Sequence, residues 1–183
     1  MTKTILFVQG AGEGVHDAWD ATLAASLESA VGPGFRLRYP KMPGEANPEY
    51  RRWSPVLRLE LAGMRDGDVL VGHSAGGTVL IHTLAEHPPD FRPGALVLIG
   101  APFVGPGGWT LEEMQVREEF ALPEGMPVSL WHGEADAVVE VDHARLYASA
   151  VPQAVLHLVP EGDHQLGQDL AAVAEDILAL TGG

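Results

Sequence analysis

The sequence turns on Val69-Leu70-Val71-Gly72-His73-Ser74-Ala75-Gly76-Gly77. Val69, Leu70 and Val71 form a short apolar run of the kind that makes a buried strand, and from Ala75 onward apolar residues recur at helical spacing. Between the two, Gly72-His73-Ser74-Ala75-Gly76 has the pattern G-x-S-x-G of a nucleophile elbow. A strand that becomes a helix within so few residues needs a very tight turn. Gly72 and Gly76 leave room where a side chain would strike the neighbouring strand or helix, and the serine adopts a strained backbone that lifts its Oγ clear of the sheet. A five-residue match alone also fits a serine in a glycine-rich surface turn. The strand before it and the helix after it are the context that favours the elbow.

Outward from this stretch, short apolar runs alternate with longer amphipathic ones, which predicts a parallel sheet with helices on its faces. Six strands are expected, over residues 4–8, 35–39, 69–71, 95–99, 128–131 and 154–159. The first exits into Gln9-Gly10-Ala11-Gly12-Glu13-Gly14, at the carboxyl end where ligands gather in open α/β sheets. A helix over about 17–31 places Trp19, Leu23 and Leu27 on one face. Asn47 and Pro48 read as a cap and first helical position, and Pro55 as a break that leaves the main helix over 56–64. After Ser74, the helix turns Val79, Leu80, Thr83 and Leu84 inward and ends at Pro88-Pro89. A helix follows over about 141–150, and Leu166, Leu170, Val173, Ile177 and Leu180 recur at helical spacing to the C-terminus. Residues 102–126 are irregular, with a capping box at Thr110-Leu111-Glu112-Glu113, and read as a small lid.

With 183 residues, one domain spanning 1–183 is expected. The net charge of -14, with 11 scattered Lys and Arg, argues against a nucleic-acid partner and against polyanionic substrates. There is no cysteine, so disulfides, a thiolate nucleophile and thiolate metal sites are excluded. No run approaches the ~18 apolar residues of a membrane span, and the start of the chain lacks a signal-peptide pattern. A soluble, cytoplasmic protein without membrane partners is expected; oligomeric state is not legible.

A serine hydroxyl is a poor nucleophile at neutral pH and needs a base, normally a histidine oriented by a carboxylate. His164, just past the last strand, and Asp136, just past the fifth, are the candidates that emerge on the same sheet edge as Ser74. Each alone fits an ordinary loop residue. The conjunction of three residue types at three strand exits in the order Ser, Asp, His is the specific signal. His73 is adjacent to Ser74 and points to the other face of its strand, so packing or bonding near the turn is expected of it rather than catalysis. His82 and His87 are five apart, and His16, His132, His143 and His157 form no zinc spacing, so no metal is expected. A dinucleotide site in the first loop is disfavoured because Val15 stands where G-x-G-x-x-G needs its last glycine, and Leu37-Arg38-Tyr39-Pro40 lacks the acidic ribose ligand.

On Gly72-His73-Ser74-Ala75-Gly76, His132-Gly133 with Asp136 and Val139, and Gly162-Asp163-His164, the chain resembles the compact α/β-hydrolases, in particular small serine hydrolases of the retinoblastoma-binding-protein-9 type. The resemblance runs over essentially the whole length. It implies a three-layer α/β/α sandwich on a six-stranded parallel sheet in the order 2-1-3-4-5-6, with Ser74 as nucleophile, Asp136 as acid and His164 as base. Two departures stand out: Gln9-Gly10 where larger relatives carry His-Gly, and Gly10-Ala11-Gly12 in place of the lipase run of glycines.

An oxyanion formed at Ser74 needs backbone donors: Ala75 N–H at the helix N-terminus, and a second from the first loop, Ala11 or Gly10. The glycine-rich loop also fits a plain turn. In the lid, Phe103, Trp109, Leu111, Met114 and Phe120 could line a substrate pocket or equally close the core, with Phe103, Trp109 and Met114 the pocket candidates. The expected activity is cofactor-free hydrolysis of a small acyl substrate, an ester or thioester, through an acyl-enzyme on Ser74. Short acyl esters suit a lid of this size better than lipids. Esterase, thioesterase and amidase share these residues. The rival from another class is a catalytically idle binding module on the same fold.

Overall fold

The structure, a computed structural model, describes residues 2–110 and 121–182. Six strands, β1 (Lys3–Val8), β2 (Phe35–Arg38), β3 (Val69–His73), β4 (Ala95–Ile99), β5 (Val128–Gly133) and β6 (Ala154–Val159), form one sheet in the order β2-β1-β3-β4-β5-β6. Every adjacent pair is parallel. The central strands β3, β4 and β5 are buried at every residue, as a sheet covered on both faces requires.

Among the described residues, five α-helices cover the sheet: α1 (Trp19–Val31), α2 (Tyr50–Leu61), α3 (Ala75–Glu86), α4 (Asp142–Ala150) and α5 (Ala171–Thr181). Alternation along each strand sorts the core into two layers. Leu6, Val8, Leu70, Leu96 and Leu98 face α2, α3 and α4, meeting Trp53, Leu57, Leu80 and Tyr147. Ile5, Phe7, Val69, Val71, Val97 and Ile99 face α1 and α5, meeting Leu23, Leu27, Val173 and Ile177. The result is a three-layer α/β/α sandwich with the strand order that the sequence resemblance implied.

Three sequence expectations are corrected. Pro55 does not break its segment: α2 runs through it. The proline is on the exposed face, while Trp53 and Leu57 are fully buried and Leu61 nearly so. Burial of such side chains, at about 1.5–3 kcal/mol each, offsets the ~3 kcal/mol an interior proline costs. Asn47 and Pro48 stand outside the helix, which is preceded by Glu49; the Asn47 N–H instead closes a turn onto Gly44 O. Leu23 and Leu27 are fully buried as expected, but Trp19, at the first position of α1, is 58 % exposed. Of the 102–126 segment, Pro102 is anchored by Thr78 Oγ1 and Tyr147 OH, which both donate to its carbonyl. Leu111, the Glu112-Glu113 pair, Met114 and Phe120 lie outside the described residues.

Candidate active site

Four strands deliver the site, each at its carboxyl end. β3 ends at His73, and Ser74 follows with φ 51° and ψ -129° before α3 begins. That conformation is rare for a residue with a Cβ and is the strained elbow geometry. The turn closes only because of its glycines. A Cβ on Gly76 would lie 2.1 Å from Gln9 O, and one on Gly72 2.5 Å from Gly77 Cα. Serine is a favoured helix cap, yet the Ser74 side chain makes no capping hydrogen bond. The hydroxyl is therefore not committed to the helix it precedes.

Asp136, in the loop after β5, has its carboxylate fully satisfied. Oδ1 accepts the Val138 and Val139 N–H groups at 2.8 and 2.9 Å. Oδ2 accepts from His164 Nδ1 at 2.7 Å and lies 3.3 Å from His132 Nε2, whose closer acceptor is Val139 O at 2.8 Å. Burial pushes the carboxyl up, but the hydrogen bonds from His132, His164 and Val139 outweigh it and hold Asp136 well below the usual carboxylate range. An ionised Oδ2 requires hydrogen on His164 Nδ1, which leaves Nε2 as the basic nitrogen. His164 sits under Gly100, where a Cβ would come within 3.2 Å of Nδ1.

Ser74 and His164 line one cavity of about 350 Å³, together with Gly10, Ala11, Gly12, Glu13, Val15, Trp19, His73, Val138 and Gln165. Its walls are backbone on the β1 side and apolar at Trp19 and Val138, both more than half exposed. The pocket candidates Phe103 and Trp109 pack against other rings. Phe103 is buried edge-on against Tyr147, and Trp109 meets His143 edge-on at 5.2 Å; neither lines this cavity. Met114 lies outside the described residues.

The first loop is held by groups that carried no sequence signal. Glu45 takes the Gly14 N–H on Oε1 and the His16 N–H on Oε2, its own carbonyl takes the Gly12 N–H, and Gln9 Nε2 donates to Oε2 at 2.7 Å. Fully buried Gln9 also accepts the Met42 N–H. The amides a pyrophosphate would need are thus occupied by the carbonyl and carboxylate of Glu45, which speaks against a dinucleotide there. Gly10 N–H donates to Asp20 Oδ2 at 2.6 Å, so Gly10 is withdrawn as an oxyanion donor. Ala11 and, at the start of α3, Ala75 remain.

Two histidine–carboxylate pairs meet here. Besides Asp136–His164, Asp20 Oδ2 lies 2.9 Å from His73 Nδ1, and His73 Nε2 lies 3.1 Å from the His164 carbonyl oxygen. Asp20 was invisible in the sequence because a carboxylate in the first turn of a helix normally faces solvent. Glu45 lies in an irregular loop, where a glutamate is unremarked.

No family model matches the chain, and no curated protein matches it. Among solved structures, the chain is similar to the ydeN gene product from B. subtilis, with TM-score 0.75 and 17% identity over 100% of both chains. It is similar to the serine hydrolase CCSP0084 from the polyaromatic-hydrocarbon-degrading bacterium Cycloclasticus zankles, with TM-score 0.68 and 16% identity over 100% of this chain and 90% of that one. It also resembles a monoacylglycerol lipase from Paleococcus ferrophilus, with TM-score 0.69 and 16% identity over 98% and 96%. At such identities the likeness is one of fold.

Proposed function

We propose that the protein is a serine hydrolase that cleaves a small, uncharged ester or thioester through an acyl-enzyme on Ser74. The reading rests on one observation above all: His164 Nδ1 is 2.7 Å from the buried, ionised Asp136 carboxylate, and His164 shares a cavity with a serine held in strained elbow geometry. Ser74 Oγ attacks the carbonyl carbon as His164 Nε2 takes its proton, and the carbonyl electron pair moves onto oxygen. Ala75 and Ala11 N–H groups stabilise that oxyanion, the first aided by the positive end of α3. Collapse breaks the bond to the alkoxide or thiolate, which leaves with the proton from His164. Water, deprotonated by the same nitrogen, then releases the acid. Asp136 orients the imidazole and stabilises its charged form.

Several features support the substrate class. The apolar groups at the cavity mouth, Trp19 and Val138, suit a short acyl or aryl group, and Glu13 with the net charge of -14 disfavours anions. Among the described residues, no helix is long and apolar enough to cross a membrane. A cytoplasmic location and assignment to the retinoblastoma-binding-protein-9 type belong to this proposal, the latter on its three motifs. The test is a fluorophosphonate probe, expected to label the wild type and not Ser74→Ala, followed by p-nitrophenyl esters of graded length. Preference for long chains would overturn the substrate class, and absence of labelling would return the fold to an idle binder.

A further inference from the structure

The acyl-transfer steps leave the second histidine–carboxylate pair unused, although it touches three parts of the site. His73 is 1 % exposed and Asp20 fully buried. The His164 carbonyl can only accept, so His73 Nε2 carries a hydrogen. The Asp20 carboxylate faces Nδ1, so that nitrogen also meets an acceptor. A ring with acceptors at both nitrogens is an imidazolium. Burial opposes the charge, but the hydrogen bond and charge of Asp20 outweigh it and hold His73 above the usual imidazole range.

We propose that Asp20 and His73 are positioning residues: a buried carboxylate–imidazolium pair that holds the main chain of His164 and the oxyanion loop at Gly10 in register with Ser74. The proposal rests on the acyl-transfer reading of Ser74, Asp136 and His164. Asp20 Oδ2 accepts from both Gly10 N–H and His73, while Asp20 Oδ1 has no hydrogen-bond partner among the described residues, so one oxygen ties the exits of β1 and β3 to α1. His73 extends the tie to the loop after β6 through the His164 carbonyl. The packing is direct: a Cβ on Gly10 would lie 3.0 Å from Ser74 Cβ and 3.2 Å from His73 Nδ1. A misplacement of about 1 Å in such a constellation costs on the order of 10²-fold in rate.

The groups packed around the His73 ring are Asp20 on α1, His164 after β6 and Asp136 after β5, and the His73 and His164 rings are 4.9 Å apart between centroids.

The test compares wild type with Asp20→Asn and His73→Gln, using fluorophosphonate titration to count active sites, p-nitrophenyl acetate kinetics, and ¹⁵N NMR of the His73 ring. In the wild type, both His73 nitrogens are expected to stay protonated at neutral pH, and in Asp20→Asn one proton is lost. In Asp20→Asn, kcat per titrated site falls about 10- to 100-fold with KM nearly unchanged. His73→Gln gives a similar loss, and the double variant is no worse than the poorer single one, because the residues act as a unit. Should Asp20→Asn fail to fold, His73→Gln carries the same kinetic readouts. Wild-type kcat per site in either variant, whatever the loss in Tm, would reduce the pair to a structural role and overturn the proposal, as would a neutral His73 ring in the wild type. A wild type that neither labels nor hydrolyses sinks the acyl-transfer reading instead; the ring nitrogens then still decide whether the charged pair exists.

Discussion

The Gly10 N–H donates to Asp20 Oδ2 at 2.6 Å, and this bond removes one of the two amides that the first loop offered to an oxyanion. With Gly12, Gly14 and His16 bonded to Glu45, Ala11 is the candidate that stands at the cavity beside Ser74.

Ala11→Pro, which deletes that N–H, is expected to lower kcat by about 10²- to 10³-fold. Because Ala11 is exposed, the thermal midpoint should change little. Steady-state hydrolysis of a p-nitrophenyl ester measures the loss, and a fall of less than about fivefold would place the second donor elsewhere.

Ser74 holds φ 51°, a backbone conformation that glycine adopts without a steric penalty. Ser74→Gly should therefore abolish hydrolysis yet raise stability by about 1 kcal/mol, strain relief exceeding the added chain entropy. Ser74→Ala keeps a Cβ and should gain less. Urea denaturation of the three proteins checks the order, and a Ser74→Gly variant less stable than wild type contradicts it.

Trp19 is 58 % exposed at the first position of α1 and lines the cavity. Trp19→Ala is expected to raise KM for aryl esters about tenfold while leaving that for acetyl methyl esters nearly unchanged, since only a large group reaches the indole. Equal effects on both substrates would assign Trp19 a role in shaping the loop.

His82, buried on α3, has its imidazole pushed down to about 4 by burial, with the charge of Glu86 only partly opposing. Between that value and its ordinary 6.5, the unfolded chain binds a proton that the folded one does not, so stability falls as pH drops through this window. The contribution amounts to about 3 kcal/mol at most. Denaturation at several pH values should show the slope in wild type, and His82→Leu should flatten it. An unchanged slope would assign the pH dependence to other groups.

Local patterns carried much of the architecture. The strand positions follow from short apolar runs, and the elbow from glycines whose absent Cβ atoms would otherwise overlap backbone at Gln9 and Gly77. Ser74, Asp136 and His164 were legible because each follows a strand, and strand exits share one edge of a parallel sheet. Burial of Trp53 and Leu57 overrode the local preference of Pro55, and Trp19 left the apolar face its spacing suggested because it stands at the helix end beside the cavity.

What the sequence by itself determined is the alternation of elements, the elbow and the three residue types that can meet at its rim. Only the tertiary structure decided that Asp20 reaches His73 across 53 positions, that His73 reaches the His164 carbonyl across 91, and that Glu45 closes the first loop. Periodicity and turn chemistry act between neighbours in the chain, so they leave a mark in the local sequence. A buried polar group takes whichever partner the fold brings within about 3 Å, and that partner is chosen by the packing of α1 and two loops against the sheet.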